Sequence, residues 1–148
     1  MANSTVNERP SLSLTRTYKA APEKVWRAWT DPQALKEWFR PDAAFSTPLA
    51  EADVRVGGRF HIVMKNPKGE EFDVSGVYKE IVENRKLVFT WAGKGTPERE
   101  SLVTVTLRPS GAGTELELKH EQFFDVAARD SHNQGWTGMF PQLERFLA

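Results

Sequence analysis

Between about residue 45 and residue 122, apolar residues recur at every second position, in runs cut apart by glycine, proline and asparagine. A period of two sends alternate side chains to opposite faces of a strand, and the interruptions are turn signals. Gly57-Gly58 allows a bend or bulge ahead of Phe60, Ile62 and Met64. Asn66-Pro67-Lys68-Gly69 makes a hairpin turn into Phe72, Val74, Gly76 and Tyr78. Asn84-Arg85 turns the chain into Leu87, Phe89 and Trp91, and a Gly-rich loop from Ala92 to Pro97 leads to Val103, Val105 and Leu107. Pro109 to Gly113 forms the last turn, before Leu116, Leu118 and His120. A shorter strand, Phe45 to Leu49, opens the series, and Pro48 assigns it to an edge because proline cannot donate to a ladder.

Such a sheet must bury one face, and the flanking segments supply the cover. Ser11 to Lys19 alternates too, with Leu12, Leu14, Arg16 and Tyr18 on one face. Pro22 followed by Glu23 starts a helix carrying Val25, Ala28 and Trp29. Asp31 ends that helix and caps a second short one, from Pro32 to about Phe39. From about Asp125 to Leu147 the period becomes helical, with Trp136, Phe140 (or Met139), Leu143 and Leu147 on one side and Asp125 or Asp130 as the cap. Pro141 conflicts with that helix, since it removes a hydrogen bond and is expected to kink it. Strand, two short helices, about six antiparallel strands and one long helix read as α+β, with the last helix packed on one face of the sheet. At 148 residues the chain is expected to form a single domain over residues 11–148, behind a polar, disordered leader at residues 1–10.

Several function classes are removed at this stage. The absence of cysteine excludes a disulfide framework, a cysteine zinc site and a thiol nucleophile. Twenty basic residues balance twenty acidic ones without a basic stripe, so nucleic acid is not an expected partner. No apolar run approaches the ~20 residues of a membrane span, and residues 1–10 lack the apolar core of a signal peptide. No membrane partner and a cytoplasmic location are therefore expected. His61, His120 and His132 lack metal-ligand spacing, and Gly93-Lys94-Gly95-Thr96 fails the phosphate-loop pattern because glycine separates lysine from threonine. Neither a metal nor a cofactor is expected.

Thr15-Arg16-Thr17 leading into Ala21-Pro22, then Val25-Trp26-Arg27-Ala28-Trp29-Thr30-Asp31-Pro32 and Trp38, resembles the opening of the SRPBCC (START-like) superfamily. Asp53-Val54-Arg55-Val56-Gly57-Gly58-Arg59-Phe60, Gly69, Gly76-Val77-Tyr78 and Gly135-Trp136 are similar to its bacterial branch named after the activator of heat-shock protein 90 ATPase. Phe39 departs from the pattern, standing where many relatives carry a second tryptophan, and Pro141 departs in the final helix. The resemblance implies a helix-grip fold: a curved antiparallel sheet of about seven strands around the C-terminal helix, enclosing a deep cavity. It also implies an apolar or amphipathic small ligand in many members, cyclase-type chemistry in a few, and stimulation of a chaperone ATPase by the eukaryotic namesake.

The residues agree with a cavity of that kind. Trp38, Phe60, Phe72, Tyr78, Phe89, Trp91, Trp136 and Phe140 fall on inward faces, where aromatic walls suit an organic ligand. Inward aromatics fill cores more often than they line pockets, but a pocket of about 300 Å³ kept open at about 24 cal/mol per Å³ costs on the order of 7 kcal/mol. A cost that large relative to domain stability implies a use. Arg16 and His120 share the inward faces, and are expected to orient the polar end of a ligand; a salt bridge for Arg16 and a structural role for His120 are the plainer alternatives. The expected function is binding of an apolar or amphipathic small molecule by these ten residues. Two alternatives stand beside it: a cyclase or isomerase using His120 for proton transfer, and a module that activates a chaperone ATPase, which rests on family analogy alone.

Overall fold

The computed structural model describes residues 9–148. Most of the expected leader, residues 1–8, lies outside the described residues. Its last residue is tied in, since the Pro10 carbonyl accepts the Phe123 N–H at 3.1 Å.

Among the described residues, seven strands form one antiparallel sheet: β1 (Leu12–Tyr18), β2 (Ser46–Ala52), β3 (Arg59–Lys65), β4 (Glu71–Val82), β5 (Lys86–Gly93), β6 (Ser101–Ser110) and β7 (Gly113–Glu121). The spatial order is β1-β7-β6-β5-β4-β3-β2, so every neighbour except β1–β7 is a sequential hairpin partner. Helices α1 (Pro22–Thr30) and α2 (Pro32–Trp38) follow β1, and α3 (Val126–Leu147) closes the chain. The curved sheet grips α3, which is the helix-grip arrangement.

Local signals explain the boundaries. Asp31 caps α2 by accepting the Gln33 N–H at 3.0 Å, and Asp125 caps α3 by accepting the Ala128 N–H at 2.8 Å. Asn66 organises the β3–β4 turn, its Oδ1 accepting from the N–H groups of Lys68 and Glu70. Pro48 does lie on the edge strand, β2. Pro109 extends β6 instead of starting the turn, opposite Thr114.

Pro141 does not end the last helix. Helix α3 runs through it without interruption. The orphaned acceptor is the Thr137 carbonyl, and both Thr137 and Pro141 lie on the solvent face, where water can replace the missing donor.

Gly76 and Gly138 are among the glycines that set backbone approaches no side chain permits. In the β4–β5 ladder Gly76 and Val77 have no Cα partners, and the Thr90 hydroxyl accepts the Val77 N–H at 2.8 Å. A Cβ on Gly76 would strike the Thr90 carbonyl oxygen and lie 2.6 Å from the Phe60 ring. This break lets the sheet bend around the core. In α3, a Cβ on Gly138 would strike the carbonyl oxygen of Pro41, so the helix presses directly against the chain leaving α2.

Gly135 is three residues earlier in the same helix, and a Cβ there meets nothing within 4 Å. The pair makes an internal control. Gly138→Ala should lower stability by about 1–3 kcal/mol through overpacking, whereas Gly135→Ala should raise it by up to about 1 kcal/mol through helix propensity. Urea unfolding of the two variants and the native chain checks both signs.

Candidate functional site

A cavity of about 430 Å³ lies between the sheet and the N-terminal half of α3. Ala128, Ser131, His132, Gly135, Trp136 and Met139 line it from α3. Their spacing of three and four places them on one stripe of the helix. Facing them are Met64 of β3, Phe72 and Val74 of β4, Trp91 of β5 and Ser101 of β6, with Phe123 and Phe124 beyond β7. Phe72 and Phe124 are each 47% exposed and mark the mouth.

The expected ligand-binding residues separate into three groups. Trp91, Trp136 and Phe72 do line this cavity. Trp38, Phe60, Tyr78, Phe89 and Phe140 do not, although all five are buried. Phe140 lies apart on α3 beneath Arg16, whereas Phe60, Tyr78 and Phe89 surround a deeper void of only about 20 Å³ under α1 and α2, with Trp38 in the same aromatic cluster. There Phe60 stacks edge-on to Phe89 at 5.3 Å, and Trp38 packs against Trp29 at 4.9 Å while its Nε1 donates to the Ala28 carbonyl at 2.7 Å. Tyr78 and Phe89 sit opposite each other in the β4–β5 ladder. Burial holds the Tyr78 hydroxyl protonated, with its pKa raised. Trp91 belongs to both regions and forms the partition between them.

Arg16 and His120 form the third group, and neither lines the cavity. Arg16 is on edge strand β1, remote from the lining strands β3 to β6. Its guanidinium donates to the Thr15 carbonyl at 2.8 Å and lies 5.2 Å above the Phe140 ring. His120 is wholly buried behind Trp91, Ser101 and Trp136.

Both nitrogens of His120 are engaged. Its Nδ1 accepts from Trp136 Nε1 at 3.0 Å, so Nε2 carries the proton and donates to the Ser101 hydroxyl at 2.7 Å. The Ser101 hydroxyl in turn donates to the Trp91 carbonyl at 3.2 Å. From the Trp91 indole the chain returns to α3, with Nε1 donating to His132 Nε2 at 3.1 Å and His132 Nδ1 donating to the Ala128 carbonyl at 2.8 Å. Helix and sheet are thus joined by a closed circuit of hydrogen bonds in which every named ring nitrogen is used. Burial first, and the nearby His132 ring second, push the His120 pKa down to about 2. The imidazole is therefore neutral throughout the physiological range and has no open nitrogen for a substrate.

Sequence reasoning did not single out Met64, Arg99, Phe123, Phe124, Gly135 or Met139 as wall residues. Phe123 and Phe124 follow Gln122, whose φ of 67° ends the strand alternation and leaves Gln122 exposed. Arg99 occupies a 3-10 turn, Pro97–Arg99, with no periodic signal. The α3 residues carried a legible signal, since their stripe follows the helical period.

The family whose description reads Activator of Hsp90 ATPase homolog 1-like protein matches residues 19–148. The human activator of 90 kDa heat shock protein ATPase homolog 1 is 25% identical over 126 residues, covering 84% of this chain and 33% of that protein. The chain therefore spans about a third of the length of the curated relatives it matches. A solved structure from Chromobacterium violaceum is 28% identical, with a TM-score of 0.84 over 93% of this chain and 96% of its own. One from Nitrosomonas europaea is also 28% identical, with a TM-score of 0.80 over 93% of each chain.

The hydrogen-bonded histidine has a pH signature. Its native pKa lies near 2 and its unfolded value near 6.5, so only the unfolded chain takes up this proton as pH falls below 6.5. The stability linked to His120 is full above pH 6.5 and declines below it, by roughly 2 kcal/mol between pH 7 and pH 5. Urea unfolding at the two pH values should show that extra loss in the native chain and lack it in His120→Gln.

Proposed function

This chain belongs to the Activator of Hsp90 ATPase homolog 1-like family, and on that premise we propose that it binds a small apolar or amphipathic molecule in the cavity under α3. The observation that carries the reading is a cavity of about 430 Å³ whose deep polar groups are already paired with one another. A chamber of that size accommodates a small organic ligand. Its floor offers Trp91, Trp136, Met64 and Met139, which are large, polarisable surfaces with no free donor or acceptor among the groups named above. Of the ten residues expected from the sequence, Trp91, Trp136 and Phe72 carry contact with the ligand in this reading. The buried aromatics and His120 support the wall, and Arg16 stands apart.

Turnover through His120 is disfavoured by the same geometry. General acid–base chemistry needs a nitrogen within hydrogen-bond reach of the substrate, and both nitrogens of this ring are committed behind the wall. Chaperone ATPase activation is named in the curated relatives, and the chain covers about a third of their length. It remains an analogy from name to function.

Native mass spectrometry of protein purified without denaturation, followed by extraction, is the direct test. A stoichiometric small molecule, or titratable quenching of Trp91 and Trp136 fluorescence by an apolar dye, is the expected result. Gly135 supplies the control, because a side chain there enters open space beside the cavity. Gly135→Leu should leave the circular dichroism spectrum unchanged and weaken dye binding at least about tenfold, the effect of losing ~1.4 kcal/mol. Dye binding unaffected by that substitution would remove the cavity from the function.

A further inference from the structure

The polar groups of the cavity are not distributed evenly. At depth, the indole N–H groups of Trp91 and Trp136, both His120 nitrogens, both His132 nitrogens and the Ser101 hydroxyl bond to one another or to backbone. Asp73 also borders the cavity, but its carboxylate bonds His61 at 2.8 Å, and its carbonyl takes the Lys94 N–H at 3.1 Å. Arg99 is the remaining charged residue of the lining. Its guanidinium lies 4.2 Å above the Phe124 ring, and no ion pair among the described residues includes it, although Glu98 and Glu100 flank it in sequence.

We propose that Arg99 is the specificity residue of this cavity, and that it selects amphipathic carboxylates which enter tail first and leave the anionic head at the mouth. The inference rests on the ligand-binding reading above. A carboxylate sent to the floor would lose its water without gaining a donor, because the donors there are taken. At the mouth it keeps water on one side and meets a planar five-donor cation on the other. Stacking on Phe124 holds that cation in place and lowers the entropy lost when it pairs. This orientation is the reverse of one anchored by Arg16 or His120. The apolar tail then covers Trp91, Trp136 and Met139.

Decanoate and 1-decanol share a tail and differ in the charge of the head, so their affinities separate the two parts of the inference. Isothermal titration should show decanoate binding the native chain about threefold to fivefold more tightly than decanol at low salt, the upper range of what one exposed ion pair provides. The preference should shrink as salt is raised. In Arg99→Gln the ratio of the two affinities should fall towards one. Arg108→Gln, which removes the same charge from β6 outside the lining, should keep the native ratio. Equal binding of both probes to the native chain, or a ratio that survives Arg99→Gln, overturns the role of Arg99 and leaves the cavity reading standing. Binding of neither probe overturns both.

Discussion

The cavity depends on the hydrogen-bond circuit that runs from Trp136 through His120, Ser101 and Trp91 to His132 and back into α3. Apolar packing alone has no fixed distance, and it tends to pull a helix onto a sheet until the gap is filled. Directional bonds between buried groups set a distance instead, since repulsion opposes shortening them and breaking them strands a donor away from water at a cost of about 1–3 kcal/mol each. The circuit joins α3 to β5, β6 and β7 in one closed path. It therefore fixes how far the N-terminal half of the helix stands from the sheet. Farther along, Gly138 lets the helix backbone meet Pro41 directly.

The concave face of the sheet is divided by this difference in spacing. Under α1 and α2 it is filled by Trp29, Trp38, Phe39, Phe60, Tyr78 and Phe89, in edge-on and tilted contacts. Under the first half of α3 it stays open. Trp91 is shared by the two halves, with Phe60 packed against it on one side and Trp136 on the other, at 6.3 and 5.2 Å. The filled half provides hydrophobic stabilisation, which makes the open half tolerable. Each half needs the other, because the indole that completes the core also donates the bond that holds His132.

Features written in short-range code were readable from the chain before folding. Asp31 and Asp125 cap helices because a cap needs only its own next few residues, and the strand alternation needs only neighbours two apart. Pro141 is tolerated inside the helix because the cost of a lost hydrogen bond depends on whether the orphaned carbonyl faces water, and sequence period does not report that. Arg16 and His120 lie off the cavity lining for a related reason. Alternation assigns a residue to a face, but where on that face is decided by strand order, and β1 lies at the far edge from the lining strands. His120 is inward as expected, yet Trp91 and Trp136 stand in front of it. Arg99 and Phe124 left no signal, because a 3-10 turn and a strand end with a left-handed Gln122 carry no period.

A large cavity also has an energetic logic that favours one kind of occupant. If the coefficient for small, dry cavities applied, about 430 Å³ would cost on the order of 10 kcal/mol, as much as a whole domain's stability. A mouth bordered by half-exposed Phe72 and Phe124 relieves that cost by admitting water. Water next to Trp91, Met64 and Met139 finds few partners, since the polar groups behind them are already bonded, and poorly bonded water is readily displaced by an apolar group. The circuit that holds the cavity open therefore also withholds its donors from whatever enters. A ligand gains by burying carbon at depth and loses by burying anything that must be solvated, so selection for polarity can operate only at the rim.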